Sequence, residues 1–357
     1  MSVFAFRAGL TLAAALAAAL GWSWLHLPLP WMLGPLLATS LASVLGLPTR
    51  SWQPLRNAGQ WVIGTAIGLY FTPEVGALVA GLWWAVLLAV VWSVGAGWVF
   101  ARWLQHGHGH RMGVGLHEQQ ATCWFSGAIG GAAEMTLLAE REGGRTDLVA
   151  AAHSLRIVIV TLVVPFAFSW LGVHGFDLSG PGTRQVDWRW LPVLLAVSLA
   201  GAWLLKKGGR ANPWFIGALL AAMGLTLARI ELSAMPTAFS NAAQLMIGVS
   251  LGVRFQAEFL HTAPRWLVSI AVGTLGLIAA CAGFGWVLAK LGGLPPGTMI
   301  LGTAPGGIAE MSITAKVLQL GVPVVTAFQV CRLVAVLVLL APLFRWASAR
   351  TAGRGPQ

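Results

Sequence analysis

Two stretches of this chain combine residue types that could do chemistry inside an apolar setting. They read Gly127-Ala-Ile-Gly130-Gly131-Ala-Ala-Glu134-Met135 and Thr303-Ala-Pro305-Gly306-Gly307-Ile-Ala-Glu310-Met311. A carboxylate in apolar surroundings can carry a proton or a cation. A glycine pair lets the backbone leave a helix and approach a ligand closely. Pro305 adds to this in the second stretch, because proline removes a donor and breaks the helical ladder. Half-helix ends exposed in this way offer unpaired N–H or C=O groups to an ion or solute. The plainer reading of the glycines is close helix packing, which small residues also serve in membranes.

Each glutamate is followed 22 residues later by an arginine, Arg156 or Arg332, in the middle of an apolar run. A charge placed at a bilayer centre costs roughly 2.5–3.5 kcal/mol on insertion scales. Such a cost at two matching positions asks for a purpose. One purpose is structural, an ion pair between Glu and Arg that locks the Gly-rich element to the next helix. The other is functional, with Arg meeting an anionic solute while Glu carries a proton or cation. His153 and Gln329 stand three residues before the arginines, on the same helical face.

A second paired set is Asn57 with Gln60 and Asn241 with Gln244. Amides at i and i+3 share a helix face, where they either bond between helices or line a solute path. His106, His108, His110 and His117 invite a metal reading, since imidazole is a common ligand. No cysteine or carboxylate cluster completes a site there beyond Glu118, so no metal and no cofactor is expected. Nothing resembles a P-loop, a nucleophile elbow or a zinc-protease helix, and the chain is not expected to be an enzyme.

The elements that must position these residues follow from composition. Of 357 residues 57% are hydrophobic and only 9% charged, whereas soluble domains carry about 25% charged residues. The chain therefore reads as an all-α integral membrane protein. A span needs about 20 residues for ~30 Å of hydrocarbon. Candidate spans are 4–25, 31–47, 57–72, 76–103, 148–171, 188–205, 214–230, 238–253, 266–289 and 322–345. The Gly-rich stretches, about 118–140 and 297–316, read as broken or re-entrant elements. Trp residues at segment ends, among them Trp22, Trp103, Trp188 and Trp346, fit an interfacial belt. The net charge of +11 would suggest nucleic acid in a soluble protein, but here it orients short loops. The three cysteines, Cys123, Cys281 and Cys331, lie far apart in apolar segments and form neither a disulfide framework nor a zinc pattern.

The chain also repeats itself. Trp31-Met-Leu-Gly34-Pro-Leu-Leu-Ala38 matches Trp214-Phe-Ile-Gly217-Ala-Leu-Leu-Ala221, and Asn57-Ala-Gly-Gln60-Trp-Val-Ile-Gly64 matches Asn241-Ala-Ala-Gln244-Leu-Met-Ile-Gly248. Gly68 and Glu74 pair with Gly252 and Glu258. The first copy holds eight extra residues, placed in the loop Gln105–Met112. This gives an N-terminal repeat over 1–172, a linker over 173–187, a C-terminal repeat over 188–346 and a short basic, disordered tail over 347–357. If both Gly-rich elements re-enter, fifteen Lys and Arg fall on the N-terminal side and five on the other, with Arg156 and Arg332 left in the membrane. That asymmetry favours two inverted repeats of about five spans each and cytoplasmic termini.

The doubled Trp-x-x-Gly-x-Leu-Leu-Ala and Gly-Gly-x-x-Glu-Met motifs, each with its later arginine, resemble the AbrB family of bacterial integral membrane proteins over about residues 10–346. The resemblance implies an internal duplication. It also carries two descriptions, regulators of gene expression and ammonia monooxygenases. The family is similar at the fold level to cation/proton antiporters and to bile-acid and auxin-type transporters. Taken together, the expectation is a multi-pass inner-membrane secondary transporter or permease for a small, anionic solute. Glu134 and Glu310 would carry the ion or proton, Gly130, Gly131, Pro305, Gly306 and Gly307 would form the backbone site, and Arg156 and Arg332 would partner the anion. The lipid bilayer, the solute and a coupling proton or cation are the expected partners, without nucleic acid and with room for a homo-oligomer. The alternative is a membrane protein that affects gene expression indirectly. The oxygenase description finds no support in the residues.

Overall fold

A computed structural model describes residues 3–108, 115–173, 175, 185–254 and 264–352. All regular structure among them is helical: α1 (Val3–Trp24), α2 (Pro30–Val44), α3 (Gln53–Gly68), α4 (Pro73–Gly81), α5 (Trp83–His108), α6 (Leu116–Gly127), α7 (Ala132–Arg141), α8 (Thr146–Trp170), α9 (Leu191–Lys207), α10 (Pro213–Leu227), α11 (Thr237–Gly252), α12 (Pro264–Gly292), α13 (Pro296–Thr303), α14 (Ile308–Val317) and α15 (Val322–Ala352). His110, Glu258 and most of the expected linker lie outside the described residues. The last helix continues through Ala352, into the stretch expected to be an irregular tail.

Five helices, α1, α5, α8, α12 and α15, are long and apolar enough to cross a membrane. The bent pair α3 and α4 makes a sixth candidate if it is one span, against about ten expected from hydropathy. Five further expected spans are shorter helices, α2, α3, α10 and α11 with 15 or 16 residues and α9 with 17. At 1.5 Å per residue they fall short of ~30 Å. The expected span 76–103 is also corrected. Its first residues belong to α4, which bends by 91° from α3, and the long helix begins only at Trp83. Thr72-Pro73 explains the break, because proline disfavours helix at the residue before it.

The chain forms two compact units. Unit 1 comprises residues 1–81, 161–261 and 309–326, and unit 2 comprises 82–160, 262–308 and 327–357. Each unit draws matching elements from both halves of the sequence. In unit 1 the halves interlock through glycines. A methyl group on Gly68 would lie 2.6 Å from the Leu219 carbonyl, and one on Gly248 would lie 2.5 Å from that of Met32. Thus α3 of the first half packs on α10 of the second, and α11 of the second packs on α2 of the first, at distances only glycine permits. The helix starts are duplicated as well. Leu29 and Asn212, each preceding a proline at the first helical position, both adopt left-handed backbone, with φ of 46° and 47°. Asn tolerates this region. For Leu it costs roughly 1–2 kcal/mol, and Leu29, wholly buried, offsets that cost by burial.

Unit 2 holds the first Gly-rich element and the first half-helix and break of the second. Gly127 of α6 lies so close to α5 that a methyl group would sit 2.6 Å from the Ala101 nitrogen, and Gly285 brings α12 equally close to α13. Trp92 of α5 and Phe284 of α12 stack at 4.5 Å. A cluster of Ala121, Phe125, Met135, Val149, Val336 and Phe344 holds α6, α7, α8 and α15 together.

Candidate functional site: two broken helices and their arginines

Each Gly-rich stretch is a pair of short helices separated by four non-helical residues. The first break is 128–131, between α6 and α7; the second is 304–307, between α13 and α14. Ala128 and Ala304 open the breaks with the same backbone, φ −57° with ψ 142° and φ −56° with ψ 141°. Both helices therefore stop at equivalent residues with their last carbonyls unpaired by the helix.

The arginines supply the missing donors. The Arg156 guanidinium donates to the Ala128 carbonyl and, at 2.5 Å, to that of Ser126. Arg332 donates to the Ala304 carbonyl at 2.6 Å and, across the break, to that of Gly306 at 2.8 Å. The residues three positions earlier finish the cap. His153 Nε2 lies 2.8 Å from the Phe125 carbonyl, an acceptor that places the ring proton on Nε2. The Gln329 amide nitrogen donates to Leu301, Gly302 and Ala304, while its oxygen accepts from Arg332 at 2.5 Å. Equivalent donors reach equivalent carbonyls: both arginines and both helpers bond a residue 28 positions upstream. A cation suits a helix C-terminus, which carries about half a negative charge.

This geometry corrects the expectation of a Glu–Arg ion pair. The hydrogen bonds of the two guanidiniums go to backbone carbonyls and, for Arg332, to Gln329. Both side chains are buried, and Phe100 lies 5.3 Å from the Arg156 guanidinium in a cation–π contact.

The glutamates open the second half-helices. Gly131 caps α7 with extended backbone, which makes Glu134 its third residue. There a carboxylate faces the positive end of the helix and can reach back toward the first amides. A methyl group on Gly131 would overlap a Glu134 carboxylate oxygen, and one on Gly130 would lie 2.8 Å from the Met135 methyl. These glycines are thus occupied by the side chains that follow them. Glu310 holds the same register in α14 and is buried, at 8% exposure. It belongs to unit 1, whereas Pro305, Gly306, Gly307, Glu134 and both arginines belong to unit 2.

Asn57, Gln60, Asn241 and Gln244 lie in unit 1, on α3 and α11. These helices approach closely, with a methyl group on Gly59 only 2.8 Å from the Ala243 carbonyl. Asn57 accepts from Gln53, one turn earlier on its own helix, and Gln244 is buried. No group of three His, Cys, Asp or Glu suited to a metal occurs among the described residues.

Reading by residue type missed the break carbonyls of Ala128, Ala304 and Gly306 and the polar side chains next to them. Ser126 is fully buried, and its hydroxyl has no partner. Thr303 donates toward the Cys281 carbonyl at 3.0 Å, tying α13 to α12. The signal available in the sequence was their position just before each glycine pair.

Comparison with known proteins agrees with the duplicated motifs. The "Putative regulator AbrB" of Escherichia coli (strain K12) is 27% identical over 340 residues, covering 92% of this chain and 93% of that protein. The "Uncharacterized protein YhjN" of Bacillus subtilis (strain 168) is 24% identical over 347 residues, 88% of this chain and 86% of its own. The family described as "Transition state regulatory protein AbrB" matches residues 31–348, which include both Gly-rich elements and both arginines, and the chain belongs to this AbrB family.

Proposed function

We propose that this chain is a secondary transporter or permease of the bacterial inner membrane, moving a small anionic solute, and not an enzyme. The carrying observation is the pair of matched helix breaks, each closed on one side by a buried arginine and opened on the other by a glutamate. Backbone departs from helix at membrane depth only where it is buried in protein or lines a cavity. Two such breaks in one chain are the arrangement carriers use to build a solute site from half-helix ends. In this reading the two sequence halves are inverted repeats with both termini cytoplasmic. Glu134 and Glu310 take up and release the coupling proton or cation. Asn57, Gln60, Asn241 and Gln244 border the solute path. The partners are the bilayer, the solute and the coupling ion, without nucleic acid.

The test is reconstitution into liposomes with an internal pH dye and a panel of small organic and inorganic solutes. Wild type acidifies or alkalises the lumen with at least one solute, and Glu134→Gln and Glu310→Gln abolish the coupled proton movement. A wild type that moves nothing across the panel would overturn the reading. A second reading, indirect control of gene expression, is favoured by the printed description of the family and the name of the E. coli relative. Transcript changes on deletion that persist in a transport-dead variant would support it.

A further inference from the structure

The charge around the two arginines does not balance. Arg156 and Arg332 bring two buried positive charges into the interior of unit 2. Their partners are carbonyls at the ends of two half-helices and the Gln329 amide. A helix C-terminus carries about half a negative charge, so the two ends together offset about one of the two. The described carboxylates of this unit are engaged elsewhere or at the surface. Glu142 pairs with Arg345 at 2.7 Å, Asp147 pairs with Arg145 at 2.6 Å, Glu134 folds over Gly131, and Glu140 is exposed. Only Glu118, half-buried in the first turn of α6, is unpaired, and the charge it faces is Arg145. Buried charges are normally paired, so about one positive charge awaits a counter-ion.

Unused donors mark where the counter-ion would sit. The Nε–H of Arg156 and the Nε–H of Arg332 are both buried without a partner, on side chains only 2% and 5% exposed. The Ser126 hydroxyl is a third, on the residue whose carbonyl meets Arg156. All three belong to unit 2 and flank the ends of α6 and α13.

We propose that Arg156 and Arg332 hold one small monovalent anion, a carboxylate or a halide, through their Nε–H groups with the Ser126 hydroxyl beside them. For transport this rests on the carrier reading above and makes the solute class a small monovalent anion. For binding it stands alone. Glycine occupies the equivalent of Ser126 in the second copy, Gly302, so the anion is held asymmetrically, nearer the first break.

The experiment follows thermal unfolding of the full chain in detergent micelles by its tryptophan emission, with sodium formate, acetate or chloride titrated at constant ionic strength set by sodium HEPES. The expected result is a saturable rise in Tm with at least one of these anions. Ser126→Ala, which leaves both caps intact, then raises the half-saturating concentration about tenfold, the loss expected for one hydrogen bond to a charged group. Competition between chloride and acetate identifies a shared site, and saturation by one alone identifies a halide or carboxylate site. No saturable rise with any of the three overturns the proposal, as does an unchanged response in Ser126→Ala. Because binding is read without flux, an anion that binds while no solute of the panel is carried overturns only the carrier reading. A carrier of some other solute that binds no anion overturns only the site.

Discussion

The two broken helices share a sequence motif and a capping scheme, yet they are held differently. In the first, Arg156 and His153 bond only carbonyls before or at the start of the break, Phe125, Ser126 and Ala128. In the second, Arg332 reaches over the break to Gly306, and Gln329 ties the arginine to the half-helix with both ends of its amide. The helices that follow differ in the same sense. Within α7 only Met135 and Ala139 are buried, one stripe four residues apart. The α14 helix is buried at every position from Ile308 to Ala315. Elements with few buried contacts open at low free energy, and fully packed ones do not. The second element is thus expected to act as a fixed pillar and the first as the side able to move, on one and the same motif.

The largest expected effect tests the pillar. Arg332→Gln strands the Gly306 carbonyl and the Gln329 oxygen, and removing one partner of a buried charged network costs about 3–5 kcal/mol. Arg156 makes two such hydrogen bonds against three for Arg332, so Arg156→Gln should cost about 1–2 kcal/mol less. Chemical denaturation in micelles would show the order, and a reversed order would break the comparison. Next come the duplicated positions Gly127 and Thr303. Gly127→Ala pushes a methyl group into the α5 backbone and should cost about 1–3 kcal/mol. Thr303→Val loses one hydroxyl bond, about 1 kcal/mol. Exchanging the helpers is a finer probe. Gln329→His should destabilise by about 1–2 kcal/mol, because a neutral ring offers one donor where the amide serves three carbonyls and the arginine, whereas His153→Gln should stay within about 1 kcal/mol. Amide exchange by mass spectrometry sharpens the contrast without mutation, with faster exchange expected over 132–141 than over 308–317. The smallest effect belongs to the rim. The Arg345 side chain is 69% exposed in its ion pair with Glu142, so Arg345→Gln should cost under about 1 kcal/mol and lose even that in high salt.

The helix breaks were legible because their chemistry is local. Gly130-Gly131 and Pro305-Gly306-Gly307 stop a helix wherever they stand, and both breaks fall there. The duplication was legible from the paired motifs, down to the shared backbone of Ala128 and Ala304. The partners of the arginines were not. Sequence presents Arg156 and Glu134 as opposite charges in one apolar stretch and suggests that they meet. The unpaired carbonyls that in fact receive Arg156 arise only once α6 has ended, and every residue type carries a carbonyl. Span lengths failed for a related reason. Hydropathy runs continuously through 76–103, whereas a short helix ends at Gly81 and the long one begins only at Trp83, and 15- or 16-residue helices read like full spans when their flanks are also apolar. The division into units was hidden too, because each unit takes its members from both halves.

The glycine contacts between α3 and α10 set the order in which the protein can be made. Gly64 and Gly68 need the backbone of Phe215 and Leu219 against them, and those residues leave the ribosome about 150 positions later. At about 5–20 residues per second, that is a delay on the order of ten seconds. Throughout it the first half holds α3 in the membrane with its glycine face uncovered, so the early chain depends on lipid or an insertion chaperone to occupy that face. A gene cut in the linker should for the same reason yield two fragments that are unstable alone and recover when made together.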